Sequence, residues 1–248
     1  MIKRDIIGRY RGSILGLLWS FVNPVLMLAV YTFVFSTVFQ ARWAGGSGSR
    51  FEFALLLFAG LIVFNLFSEC VSRAPNLVLG NVNYVKKVIF PLEVLPWVTL
   101  GSALFHALVN LTVLLVFLSF SSLEIFWTVL LAPVVLLPLL PLLLGICWLL
   151  ASIGVFIRDT GQLIGMILTV LMFLSPIFYP ASALPEPVRD FLFLNPLTFI
   201  IEQLRAVLIW GQMPDWAGLA AYSLCSVLFA WAGLFWFQKT RKGFADVL

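Results

Sequence analysis

The sequence predicts an all-α integral membrane protein. Three observations carry that prediction. The chain is 62% hydrophobic and 10% charged, with mean hydropathy +1.08, whereas soluble domains are roughly 45–50% apolar and about 25% charged. Apolar runs of bilayer length recur along it. Its cationic residues also fall mainly on one side of the implied membrane.

The first element is a basic amphipathic stretch, residues 1–18. Written as a helix, Ile6, Tyr10, Ile14 and Leu17 share one face, and Arg4, Asp5, Arg9 and Arg11 the other. Such a helix lies in the membrane surface with its cations toward anionic headgroups. Asn23-Pro24 is read as a bend into the first span. This segment is not a cleavable signal peptide, because its apolar run is too long and no small-residue cleavage site follows.

Six spans are predicted, at residues 19–39, 53–70, 97–120, 125–157, 161–179 and 217–237, in a single transmembrane domain covering 1–248. A glycine-rich loop, ARWAGGSGSR (Ala41–Arg50), separates the first two. Glu69 and Arg73 close the second, spaced i,i+4 to pair at the interface. Residues 74–96 form a long amphipathic cytoplasmic segment, with Pro75 at a helix start and Pro91 ending the helix before span three. Span four is too long for a straight crossing of a ~30 Å core. Pro133, Pro138 and Pro141 predict that it kinks. Within residues 181–212, Phe191–Trp210 is apolar enough to suggest a seventh span. Asn195-Pro196 and the charged pair Glu202/Arg205 argue against it, since a charge near a helix centre costs roughly 2.5–3.5 kcal/mol. The stretch is read instead as a re-entrant hairpin of two short helices in the outer leaflet.

Positive-inside bias supports that count. With six spans and both termini inside, the cytoplasmic cations are Lys3, Arg4, Arg9, Arg11, Arg73, Lys86, Lys87, Arg158, Lys239, Arg241 and Lys242. Only Arg42, Arg50, Arg189 and Arg205 remain outside.

The chemistry is sparse. There is no GxxxxGK[ST] loop for ATP, no zinc or disulfide pattern among Cys70, Cys147 and Cys225, and no internal repeat. His106, the single histidine, sits mid-span near Asn110 and is read as a helix-to-helix hydrogen-bonding group. The spans lack the buried ionisable set of most ion-coupled pumps. Aromatics are abundant, with 24 Phe, 9 Trp and 5 Tyr. Tyr31, Phe35 and Phe39 step by four along span one, and Phe173, Phe178 and Tyr179 lie toward the outer end of span five. Such faces suit a sugar chain, whose ring faces are apolar and whose edges hydrogen-bond. Ordinary helix packing would produce the same pattern.

Four motifs in order, RDIIGRYRGSILGLLWSFVNP (Arg4–Pro24), YVKKVIFPLEVLPW (Tyr84–Trp97), FIRDTGQ (Phe156–Gln162) and LSPIFYP (Leu174–Pro180), resemble the permease subunit of type-2 ABC exporters for polysaccharides. That class moves O-antigen, teichoic acid or capsule chains, and the resemblance covers nearly the whole chain. It implies a homodimer with two cytosolic ATP-binding-cassette subunits, which bind the ATP and Mg. The permease itself needs no cofactor or metal and has no nucleic-acid partner. The cargo would be a polysaccharide on undecaprenyl diphosphate, with O-antigen the expected polymer, threaded through a bacterial inner membrane.

The resemblance also assigns roles. Arg4, Arg9 and Arg11 would meet the lipid diphosphate, since clustered guanidinium groups form charge-assisted bonds to phosphate. Asn81, Asn83, Tyr84, Lys86, Lys87 and Glu93, with Arg158 and Asp159, would dock the ATPase. The outer gate would be 181–212, with Phe191, Phe193, Glu202 and Arg205. With three residues before Arg4, a longer N-terminal arm of relatives is expected to be absent. The rival readings are a drug or lipid exporter of the same fold, a passive channel, and a membrane-embedded lipid-sugar enzyme. The last has no acidic pair in the bilayer to work with.

Overall fold

A computed structural model describes residues 1–38, 50–82, 84, 90–121, 124–181, 185, 192 and 194–247. Among these residues every regular element is helical. The helices are α1 (Ile2–Tyr10), α2 (Trp19–Tyr31), α3 (Arg50–Arg73), α4 (Val94–Phe120), α5 (Ala132–Leu136), α6 (Leu139–Phe156), α7 (Thr160–Leu174), α8 (Pro196–Leu208), α9 (Trp216–Thr240) and the short α10 (Phe244–Val247). Among the described residues, five stretches are long and apolar enough to cross a membrane: Gly16–Phe35, Glu52–Asn76, Val94–Phe120, Trp127–Phe156 and Trp216–Gly243.

The bundle is built around α3. It contains no proline and carries a near-continuous run of Leu, Ala, Phe, Ile and Val from Phe53 to Phe64. A helix apolar all round belongs in the middle of a bundle, and 83% of its apolar window is buried inside the protein, against 11% for the Gly16–Phe35 stretch and 17% for the last one. α4, α7 and α8 pack on it. α2 and α9 therefore form the rim, with Val25, Val30, Phe33, Leu224, Leu228 and Trp231 facing outward.

Several boundaries differ from the sequence expectation. The surface helix does not run to residue 18. It stops at Tyr10, and Gly12 and Gly16 take left-handed φ values of 89° and 51°, which only glycine adopts freely. Ile14 consequently leaves the apolar face and is fully exposed. α2 continues through Asn23-Pro24, where a bend was expected, with Pro24 inside the helix. Proline removes one intrahelical bond, but transmembrane helices tolerate it where neighbouring groups compensate. Past Tyr31 the helix widens into a π-helical stretch, Thr32–Val38.

Residues 74–82 are not one long helix but two 3-10 turns, Ala74–Asn76 and Leu79–Asn81. Pro75 is held there by α6, since a Cβ on Gly154 would lie 2.2 Å from the Pro75 carbonyl oxygen. In the fourth apolar stretch the expected kink occurs at Leu137-Pro138, between α5 and α6. Pro133 and Pro141 fall near helix starts, where proline fits. The stretch expected at 161–179 stays helical only to Leu174, and Ser175–Tyr179 turn. Pro176 cannot continue the helix and biases Ser175 to extended backbone. Of the stretch read as a re-entrant hairpin, α8 lies among the described residues. Its amphipathic helix is buried from Leu197 to Leu208 on one side, and Asn195 caps it through its side-chain oxygen, 2.9 Å from the Leu197 N–H.

α6 and α9 cross at two glycines. A Cβ on Gly233 would lie 2.5 Å from the Gly145 carbonyl oxygen, and one on Gly145 would lie 3.0 Å from the Ala230 Cα. Small residues let membrane helices approach this closely. Gly233→Ala is expected to force the backbones apart and to destabilise the crossing by about 1–3 kcal/mol. Thermal unfolding in detergent would show the lower midpoint, and an unchanged midpoint would mean the crossing gives without cost.

Candidate functional site

The end of the bundle expected to face the cytoplasm is organised by a charge network that the sequence shows only as fragments. Glu69, at the end of α3, accepts from Arg9 of α1 at 2.7 Å and lies 3.0 Å from His106 Nδ1 of α4. Arg73, one turn further along α3, is 3.7 Å away. The Tyr10 hydroxyl meets His106 Nε2 at 3.1 Å. A second knot sits beside it. Arg73 donates to both carboxylate oxygens of Asp5 at 2.8 Å, and the Ser102 hydroxyl donates to Asp5 at 2.6 Å. His106 thus makes a helix-to-helix bond as expected. Its partner is Glu69 rather than a group on its own helix.

Ile6 and Tyr10 of the expected inward face are half-buried, and Asp5 of the polar face is drawn in beside them. Arg9 reaches Glu69 while staying 39% exposed, and Ile2 and Ile7 are exposed. Burial alone would raise the Asp5 carboxyl. The hydrogen bonds from Ser102 and Arg73, with the charges of Arg73 and Arg9, more than offset it and hold Asp5 below its ordinary range.

Two basic hollows flank α1. One, about 450 Å³, lies between α1 and the 74–84 segment and is lined by Arg4, Arg9, Arg73, Asn81 and Tyr84. The Arg4 guanidinium donates to the Tyr84 hydroxyl at 3.0 Å. The other, about 560 Å³, is a shallow depression carrying Lys3, Arg4, Ile7 and Arg11. Of the three arginines expected to meet a diphosphate, Arg9 is engaged by Glu69, while Arg4 and Arg11 face the hollows.

The expected docking residues gather at the same end. Arg158 and Asp159 form an exposed turn between α6 and α7. That turn is next to the Ala74–Asn76 turn, since a Cβ on Gly161 would lie 3.7 Å from the Asn76 amide. Asn81 folds back to donate to the Leu77 carbonyl. Glu93 pairs with Arg241, and its carbonyl accepts from Trp148 Nε1 at 3.1 Å. Asn83, Lys86 and Lys87 lie outside the described residues.

The aromatic candidates converge toward the other end. Phe35 stacks on Phe178 at 6.2 Å between ring centres, Phe178 on Phe173 at 5.9 Å, and Phe35 on Phe53 of α3 at 5.3 Å. Phe173 remains 60% exposed, and Tyr179 donates its hydroxyl to the Phe173 carbonyl at 2.9 Å. Tyr31 lines a separate cavity of about 360 Å³ below this stack. Phe39, Phe191 and Phe193 lie outside the described residues. Phe53 was missed because nothing in its own helix distinguishes it from neighbouring core residues.

At the expected outer gate, Arg205 is fully buried. It donates to the Leu56 carbonyl and the Ile177 carbonyl, each at 3.0 Å, and pairs with Glu202 at 3.0 Å. The planar fork suits three acceptors at once, and it clamps α8 to α3 and to the turn after α7.

Comparison with known proteins now fits this geometry. The ABC-2 type transporter family model matches residues 1–209. The chain belongs to the ABC-2 type transporter family, as a multi-pass protein of the inner membrane with a transport role. It is 31% identical over 248 residues to the O-antigen export system permease protein RfbA of Myxococcus xanthus, covering 99% of this chain and 93% of the relative. It is 24% identical to RfbA of Klebsiella pneumoniae, covering 99% and 92%. It is also 24% identical to the polysialic acid transport protein KpsM of Escherichia coli, covering 94% and 89%.

The Asp5 knot yields a test. Asp5→Asn is expected to speed hydrogen exchange of residues 2–10 about tenfold, the loss of one charged hydrogen-bond set. Because Asp5 is held below its ordinary range, its contribution is complete above that range. The gap between wild type and variant should persist down to pH ~5 and close as the pH falls below ~4. Equal exchange at pH 7 would show that α1 is held by other contacts.

Proposed function

We propose that this chain is the channel-forming membrane subunit of an ATP-driven exporter for a polyprenyl-diphosphate-linked polysaccharide, most closely of the O-antigen kind. Two copies and two cytosolic ATP-binding-cassette subunits make up the transporter. The 31% identity to an O-antigen permease, against 24% to a polysialic acid transporter, favours O-antigen over capsule. The exposed faces of α2 and α7 supply apolar surface for lipid and for the second copy.

On this reading the chain crosses the membrane six times with both termini cytoplasmic, and α7 provides the fifth crossing. At 15 residues it spans only about 22 Å, so the Ser175–Tyr179 turn completes it. α8 and the segment before it form the outer gate. Arg4 and Arg11 receive the lipid diphosphate. The 74–84 segment, Glu93 and the Arg158–Asp159 turn receive the ATPase, whose cycle moves them. Arg4 and Tyr84 are bonded to each other, so the two functions are mechanically adjacent.

The observation that carries this reading is the convergence of Phe35, Phe173 and Phe178, from two distant stretches of sequence, into one stack with Tyr31 below it. Aromatic faces bind sugar rings weakly and without strong orientation, which lets a polymer slide. Tyr31→Ala with Phe35→Ala should lower export about tenfold, from the loss of ring contacts worth roughly 0.5–1.5 kcal/mol each. ATPase co-purification should be unchanged. Full export by this variant would remove the channel-lining role.

A further inference from the structure

We propose that the cavity beneath α2 is a saccharide subsite that holds the first sugar of the lipid-linked chain. This rests on the reading above and adds a site to it.

The cavity, about 360 Å³, lies between α2, α3 and α4. That is within the ~300–1,000 Å³ of small-molecule sites. Its floor is the Arg9–Glu69–His106 network. Asn65 lies four residues before Glu69 on α3, and Asn110 four residues after His106 on α4. The two helices run antiparallel, so both amides sit one turn, about 6 Å, further along the cavity than the charges. Asn23 of α2 joins them, and Tyr31 lies two turns beyond.

The side-chain amides of Asn23, Asn65 and Asn110 hydrogen-bond to none of the described residues. Each lies within an apolar stretch long enough to cross a membrane, yet Asn23 and Asn65 are exposed and Asn110 is half-buried. An amide facing hydrocarbon without a partner costs several kcal/mol. Three of them, from three helices, opening on one hollow require a polar occupant. Glu69 is already engaged, and no cluster of metal ligands occurs among the described residues, so a cation is a poor fit. A carboxamide both donates and accepts, which matches vicinal hydroxyl groups. The Trp19 and Tyr31 rings of the same wall offer faces to a sugar ring. The position agrees: basic hollows for a diphosphate lie at one end, and the phenylalanine stack lies at the other.

The test uses the full chain co-purified with its ATPase subunits in nanodiscs. Two probes are compared: polyprenyl diphosphate carrying a short oligosaccharide, and the same lipid diphosphate without sugar. Wild type is expected to bind the sugar-bearing lipid about tenfold more tightly, the worth of a few hydrogen bonds. Asn65→Leu with Asn110→Leu should abolish that preference and leave the bare lipid unaffected. Asn65→Ala with Asn110→Ala, which only shortens the side chains, is read in the same way should the leucine pair fail to fold. A retained preference in either folded variant overturns the subsite. So does equal binding of both probes by wild type, which leaves the exporter reading standing. Binding of neither probe by wild type overturns the exporter reading itself. A variant that changes oligomeric state with its preference intact would show that the amides pair between copies, and the subsite falls.

Discussion

The Glu69 carboxylate is the contact on which the α1 end of the bundle depends. It is 17% exposed, near the end of a helix most of whose apolar window is enclosed by protein. A carboxylate there needs partners from outside its own helix. It takes Arg9 from α1 and His106 from α4, and so sets where α1 lies. α1 contains no buried residue. Its seat is therefore largely electrostatic and polar, with Ile2 packed over Gly101 as an apolar contact.

The opposite half solves the same problem differently. Arg205 is removed from solvent altogether and takes two backbone carbonyls as well as Glu202. One of those carbonyls belongs to Leu56 in α3 and the other to Ile177 in the turn after α7. A lysine could not reach all three acceptors from one position. The clamp thus fixes α8, α3 and the end of α7 as a unit. Gly60 leaves room for it, since a Cβ there would lie 3.0 Å from the guanidinium. One end of the molecule is held by half-exposed ion pairs and the other by a buried guanidinium.

Much of this was legible in the sequence, because bilayer length is a strict constraint on apolar runs. The cores of the long helices follow from it directly. Local backbone choices were harder. Asn23-Pro24 was read as a bend, and the helix continues through it; the helical chain instead breaks around Gly12 and Gly16, where a left-handed φ costs least. Pro176 carried the same signal and did end its helix. The Glu69–Arg73 pair was visible as an i,i+4 spacing, and His106–Asn110 likewise. That these two spacings face each other depends on the rotation of α3 against α4, which no single helix records. The convergence of Phe35 with Phe178 was hidden for the same reason.

The order of side chains along α2 connects these parts. Near its start are the guanidinium groups of α1, then the carboxamides of Asn23, Asn65 and Asn110, then Tyr31, then the Phe35 stack. Charge–phosphate contacts are strong and suit a group that must be recognised once. Carboxamide contacts are directional and suit a sugar of defined identity. Ring-face contacts are weak and repeatable, and suit a polymer that must keep moving. A chain advancing along α2 would meet these interactions in order of decreasing specificity. On the proposed function, strong binding at the start would commit the substrate, and weak binding beyond it would avoid a trap. The reverse order would then hold a polymer at the exit and leave nothing at the entry to select its lipid.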